Sequence, residues 1–254
     1  CDNVTIDNVT INNPYDSPNT DGIDPESCSN IHISNCHVDV GDDCIAIKAG
    51  TEGTAERVPC KNITITNCTM VHGHGGVVIG SEMSGSVENV TISNCVFTNT
   101  DRGIRLKSRR YRGGAVQDIR VDNVIMENVL CPFIANLYYM WGPRGMDPDV
   151  VDKNPAPVTK DTPVFRRLHF SNMTCKDVNA SAGHFFGLAE MYVEDCTFEN
   201  VYISIADNAI EGEPAMYVGV QPVKEKGFVL TNTRGIKFNN VTVVGVNGPA
   251  FEVE

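Results

Sequence analysis

The sequence predicts an all-β chain wound as a right-handed parallel β-helix. Three observations carry the prediction: an eleven-residue block that recurs, an apolar alternation inside each block that slips once, and an asparagine at the slip. Blocks starting at residues 1, 28, 60, 87, 116, 165, 188 and 233 superimpose without gaps, among them CSNIHISNCHV at 28, CKNITITNCTM at 60 and LAEMYVEDCTF at 188. Self-similarity at a period of roughly 20–50 residues marks a solenoid, in which each unit buries its apolar face against its neighbours.

In every block the fourth, sixth, ninth and eleventh positions are apolar or Cys, as in Ile31, Ile33, Cys36 and Val38. Two strands meeting at a corner give period two, a one-residue slip and period two again; a helix does not. The corner falls on the eighth position, which is Asn8, Asn35, Asn67, Asn94, Asn123, Asn172 and Asn240 in seven blocks and Asp195 in the block at 188. Asn is the non-glycine residue that best tolerates the left-handed backbone such a bend needs. Stacked at ~4.8 Å, these side chains are also expected to hydrogen-bond in a ladder. A leucine-rich solenoid would need a Leu-dominated frame with helical segments, and a β-sandwich would need hairpin turns every ~8–12 residues; neither is visible.

The composition fits a chain with a sizeable core: 41% of the 254 residues are hydrophobic, which excludes disorder and collagen-like repeats. No stretch approaches the ~20 apolar residues of a membrane helix. A net charge of -12 repels polyanions and so argues against nucleic acid and anionic membrane as partners. The chain opens at Cys1-Asp2-Asn3-Val4, inside a repeat and without Met or the basic and apolar regions of a signal peptide, so further coils are expected upstream.

Cys36, Cys68, Cys95 and Cys196 share the ninth position and are expected as a stack of small buried thiols rather than as disulfides. The sequon Asn62-Ile63-Thr64 falls on a strand and reads as ladder composition rather than a glycan site. Two insertions, near 141–164 and 207–232, interrupt the repeat, the first with five of the 13 Pro. The repeat resumes after each, so residues 1–254 read as one domain whose insertions belong at a binding rim.

The segments after each corner align by their own alternation. Placing Ile23, Ile45, Val77 and Ile104 at one level puts Asp21 and Asp43 at equivalent positions, Asp42 beside them, and His74 with Gly75 on the next coil. Arg105 and Lys107 follow one coil further. Three carboxylates so close are expected to repel, raising the proton affinity of at least one and leaving an acid beside a base. That division of labour is what glycoside hydrolysis uses. Arg102, Arg105, Lys107, Arg109, Arg110 and Arg112 crowd residues 102–112. Arg105 and Lys107 face outward beside the acids, where they can grip a sugar carboxylate. Arg109, Arg110 and Arg112 are expected on a solvated face as readily as at a substrate.

Asn19-Thr20-Asp21-Gly22, Gly41-Asp42-Asp43-Cys44, Gly73-His74-Gly75 and Arg105-Leu106-Lys107 stand in the order and with roughly the spacing of the four motifs of the polygalacturonases, glycoside hydrolase family 28. Over residues 1 to about 140 the chain resembles that family, in particular its bacterial and plant-type branch that includes exo-acting enzymes. The resemblance implies a pectin-enzyme β-helix that hydrolyses α-1,4 galacturonosyl linkages with inversion and without cofactor or metal. It implies Asp42 as general acid, Asp21 and Asp43 as activators of water, His74 as a tuner of the acid's protonation, and Asn19, Arg105 and Lys107 as substrate contacts. The family's tyrosine after the fourth motif is assigned to Tyr138, with Tyr139 adjacent. The partner implied is polygalacturonate or a pectic oligosaccharide, met outside the cell or in the periplasm by a monomer. Two other functions fit the same fold: a pectate or rhamnogalacturonan lyase, with the three Asp as Ca²⁺ ligands, and a pectin-binding β-helix without activity.

Overall fold

The computed structural model describes residues 1–254, and its strands stack into two long parallel sheets that share one interior. The first sheet runs through Asp2–Asp7, Ser29–Ser34, Cys60–Thr66, Val87–Thr98, Ala115–Glu127, Val164–Val178 and Val193–Ile205, each pairing with the next in chain order. The second stacks Asp43–Ile47, Gly75–Ile79, Arg102–Lys107, Cys131–Asn136, Ser181–Phe186, Lys226–Thr231 and Phe251–Val253. Each turn of the chain thus adds one rung to both sheets, which is a parallel β-helix. No helix is long and apolar enough to cross a membrane.

The alternation read from the sequence sets the rungs. Ile31, Ile33, Cys36 and Val38 are all buried. In the second sheet Ile23 pairs with Ile45, Ile45 with Val77, and Val77 with Ile104. The eighth-position residues take left-handed backbone, with φ from 51° at Asn240 to 56° at Asn8. Their amides form the ladder, as where Asn123 Nδ2 donates to Asn94 Oδ1 at 2.7 Å.

Two features differ from the sequence reading. A second left-handed residue stands at the third position of each block, at Asn3, Asn30, Asn62, Asn89, Asp118, Arg167 and Gly235, so the first sheet bends twice per coil. Asn62 belongs to this column and bonds Asn30 at 3.0 Å and Asn89 at 3.1 Å. The block placed at 188 begins instead at Val193: Leu168 pairs with Cys196, Phe170 with Phe198 and Met173 with Val201. Asn200 (φ 53°) is therefore its corner and Asp195 its third position. Asn240 donates to Asn200 at 2.8 Å, continuing the ladder. The frame slipped because inward positions four, six, nine and eleven map partly onto themselves when shifted by five. Cys196 consequently leaves the column of Cys36, Cys68 and Cys95. All ten cysteines are free thiols.

The interior changes character along the axis. Early coils are filled by Ile, Val and Cys, whereas Phe133, Phe170, Phe198, Phe228 and Phe238 stack through the later ones, with Phe170 and Phe198 centroids 4.8 Å apart. The arginine run is not a solvated face. Arg109, Arg110 and Arg112 are buried, at 1%, 5% and 3% exposure. Arg110 forms a bidentate pair with Glu190 at 2.7 and 2.8 Å and also donates to the carbonyls of Asp149 (3.0 Å) and Asn154 (2.8 Å), gripping the short helical turn Pro148–Val151. Arg109 and Arg112 share Glu52, and Arg109 also holds the Pro143 carbonyl. These charges are paired with groups far away in sequence, and Arg109 and Arg110 pin the 141–164 insertion to the coils.

Candidate active site

The outward side of the second sheet, roofed by the two insertions, forms a cleft of about 710 Å³. Asn19, Asp21, Asp42, Asp43, Lys48, His74, Arg105, Lys107, Tyr139, Trp141 and Met216 are among the residues that line it. Four separate motifs of the sequence therefore meet in one place.

Glycines let the coils close up here. Gly73 has φ +73°, and a Cβ there would lie 2.1 Å from the Asp42 carbonyl oxygen, so the residue before His74 must be bare. The His74 N–H then donates to that same carbonyl at 3.1 Å. Gly75 stands on the coil between Asp43 and the Arg102–Lys107 strand. Without a side chain at Gly75, Arg105 reaches across the rung to Asp43.

Asp43 is buried, with Arg105 Nη1 at 2.9 Å from one oxygen and Lys107 Nζ at 2.7 Å from the other. Burial pushes its carboxyl up, but Lys107 and Arg105 outweigh burial and hold it below the ordinary carboxylate range. Tyr139 lies over both cations, its ring centroid 5.1 Å from Lys107 Nζ and 5.8 Å from Arg105 Cζ. Met216, from the second insertion, accepts from Arg105 Nη2 through Sδ at 3.0 Å, and its carbonyl accepts from Asn136 at 3.1 Å.

Asp21 is paired differently. Lys48 Nζ lies 2.8 Å from Asp21 and 2.5 Å from Asp24, so one ammonium serves two carboxylates. Burial raises the Asp24 carboxyl to about 6 against the pull of Lys48, and the nearby charge of Asp21 adds to the rise. Cations thus answer the charges of Asp21 and Asp43, and a fourth carboxyl, Asp24, has a raised proton affinity. Asp42 makes no ion pair; one of its oxygens accepts the Asp43 N–H at 2.9 Å. His74 donates Nδ1–H to Asp101 at 2.7 Å, which fixes the tautomer and leaves Nε2 free.

Seven of the eight residues expected at a site line the cleft: Asn19, Asp21, Asp42, Asp43, His74, Arg105 and Lys107. Tyr138 does not. It is 1% exposed and packed into the core, with Phe186 at 4.6 Å and Lys153 of the first insertion 3.6 Å above its ring. Strand alternation stops at Asn136, whose side-chain oxygen accepts the Tyr138 N–H at 2.9 Å, and the turned chain presents Tyr139 instead. Lys48, Asp24, Asp101, Trp141 and Met216 were not anticipated. Lys48 had a signal, since it continues the outward alternation of Asp43–Ile47; Trp141 and Met216 sit in insertions with no period to read.

Residues 1–154 match the family described as glycosyl hydrolases family 28. The chain belongs to that family. A probable polygalacturonase of Vitis vinifera is 36% identical over 183 residues, covering 71% of this chain and 35% of the relative. An endo-polygalacturonase of Pectobacterium parmentieri is 38% identical over 161 residues, covering 63% of this family 28 chain and 39% of its own. Among solved structures, a hyperthermoactive exopolygalacturonase from Thermotoga maritima superimposes with a TM-score of 0.69 at 30% identity, over 94% of this chain and 48% of that one. The chain thus spans about a third to a half of these relatives.

Proposed function

We propose that this family 28 chain carries the active centre of a hydrolase cutting α-1,4 linkages between galacturonate units of polygalacturonate or pectic oligosaccharides. In this reading it works as a monomer, outside the cell or in the periplasm, without metal. The observation that carries the reading is the unequal pairing of three carboxylates in one cleft: Asp43 lies between two cations, Asp21 is held by Lys48, and Asp42 has no cation. A carboxyl without a cation partner is the one free to carry a proton to the leaving oxygen, whereas carboxylates held by cations stay ionised and so keep a lone pair for the water's proton.

Asp42 then protonates the glycosidic oxygen as its bond to the anomeric carbon breaks. Asp21 or Asp43 takes a proton from the water whose oxygen bonds to that carbon from the opposite face. One water is consumed, and the acid and base are left one proton short and one proton over, to be reset by solvent. His74, fixed by Asp101, lies beside Asp42 and supports the acid. Arg105 and Lys107 are shared between Asp43 and the substrate's carboxylate, with Tyr139 over them and Asn19 in the lining of the same cleft. Trp141 and Met216, brought in by the two insertions, line the cleft, and in this reading they supply the wall that an enzyme taking units from a chain end needs.

Product analysis on polygalacturonate tests this. Saturated monomer released in the presence of EDTA is expected; unsaturated products that vanish with EDTA indicate a lyase, mixed oligomers indicate internal cutting, and binding without products indicates a non-catalytic role. Lyase chemistry fits poorly with carboxylates already neutralised by Lys48, Arg105 and Lys107. Asp42→Asn is expected to lower kcat by at least ~10²-fold, the scale of general acid catalysis. The variant should still bind digalacturonate, read by the fluorescence of Trp141, the single tryptophan.

A further inference from the structure

We propose that Lys48 is a positioning residue for this site: its ammonium pins the Asp21 carboxylate to the cleft wall, and Asp24 sets how much of that charge Asp21 receives. The inference rests on the hydrolytic reading above.

Lys48 is locked between coils. Its N–H donates to the Pro25 carbonyl at 3.0 Å and its own carbonyl accepts the Ser27 N–H at 2.9 Å. The next residue, Ala49, donates to the Glu82 carbonyl at 2.7 Å on the following coil. With the main chain held on both sides, the half-buried Nζ has a fixed place 2.8 Å from Asp21 and 2.5 Å from Asp24. No other cation pairs with Asp21, because Arg105 and Lys107 are both committed to Asp43.

The two carboxylates that share Lys48 are not equivalent. Asp21 lines the cleft and Asp24 does not. The other charged or titratable groups around the cluster are Asp42, Asp43, Glu82, His74, Arg105 and Lys107 of the same cleft, with Arg105 and Lys107 paired to Asp43 and Glu82 to Arg112, and Glu26, which accepts the Gly50 N–H at 3.2 Å. Lys48 is thus the one cation paired with Asp21 and Asp24, and the protonation of Asp24 decides whether its charge is divided. Because burial lifts Asp24 to about 6, it holds its proton in mildly acidic solution and leaves Lys48 to Asp21. As pH rises through that value Asp24 ionises and competes for the ammonium. Misplacement of a reacting group by about 1 Å can cost ~10²-fold in rate, so the clamp is expected to matter to turnover more than to binding.

The test uses the whole chain with Lys48→Met, Lys48→Arg and Asp24→Asn, measuring kcat and KM on polygalacturonate between about pH 5 and pH 7 and digalacturonate affinity by Trp141 fluorescence. Lys48→Met is expected to lower kcat by about 10²-fold while KM and digalacturonate affinity stay within about threefold, and Lys48→Arg to recover at least about a tenth of the lost rate. Asp24→Asn keeps the proposal testable should Lys48→Met fail to fold. Its ratio of kcat at pH 5 to kcat at pH 7 is expected to be at least about threefold smaller than in the wild type, because the Asp24 titration is gone. Equal losses in KM and kcat for Lys48→Met, unchanged kcat, or a pH profile of Asp24→Asn parallel to the wild type would each overturn it. A wild type that hydrolyses nothing sinks the hydrolytic reading itself; an active wild type with an unaffected Lys48→Met sinks only the role of Lys48.

Discussion

The two long sheets are built from the same coils, yet the asparagine ladder of the first and the buried charges of the second satisfy their polar groups in opposite ways. At several asparagine corners of the first sheet like stacks on like: Asn94 and Asn123, or Asn200 and Asn240, bond to each other, and such a rung needs only a neighbour of the same kind, while charged pairs such as Arg167 with Asp118 lie on the exposed side of that sheet. On the second sheet unlike charges face across rungs, Asp43 meeting Arg105 and Lys107 from two coils away. A column of identical amides can extend indefinitely at little risk, because no member carries a net charge. A column of charges depends on every partner, and removing one leaves another buried and unmatched.

Asp43→Asn is the largest break of this kind. It leaves Arg105 and Lys107, 3% and 7% exposed, without their shared carboxylate, and is expected to destabilise the fold by about 3 kcal/mol at neutral pH. The pH dependence has a definite sign. Because Lys107 and Arg105 outweigh burial and hold Asp43 below its unfolded value, the stabilisation is complete above about pH 4 and disappears as pH falls through the lower folded value. Urea midpoints of wild type and variant should therefore differ at pH 7 and converge in acid. A gap that persists at low pH would mean that Asp43 acts through packing rather than charge.

The same contrast explains what could be read from the sequence. Identical columns leave a period, so the asparagine corners, the inward positions and the level shared by Ile23, Ile45, Val77 and Ile104 were legible. The period also misled once, where a frame shifted by five residues fitted the apolar positions almost as well and placed Cys196 one column away from its seat beside Leu168. The cleft acids were legible because they sit on the same period. The partners of Arg109, Arg110 and Arg112 were not, since Glu52, Glu82 and Glu190 approach from other coils and loops. Tyr138 failed for a related reason: alternation is informative inside a strand, and the strand ends two residues before it.

The adjacent tyrosines turn that failure into a measurement. Tyr139→Ala removes the ring over Lys107 and Arg105 and is expected to weaken digalacturonate binding by about tenfold, of the order of one cation–π contact. Tyr138→Phe removes a buried hydroxyl that has no hydrogen-bond partner, so binding should not change and stability should stay equal or rise by up to about 1 kcal/mol. Weakened binding in Tyr138→Phe would return the sugar contact to Tyr138 and contradict the packing seen here.

The smallest effect belongs to the ladder sheet and separates its two contributions. Asn123→Ala loses the bond to Asn94 and also forces a Cβ-bearing residue without a local hydrogen bond to hold φ 52°, for a combined cost of about 2 kcal/mol. Asn123→Gly loses the same bond but relaxes the backbone conformation, and should cost about half as much. Hydrolysis should be unchanged in both, because the ladder lies on the sheet that does not line the cleft. If the two variants melt together, the stacked amides, not the left-handed corner, are what Asn contributes at that position, and the corner itself is held by the coils above and below.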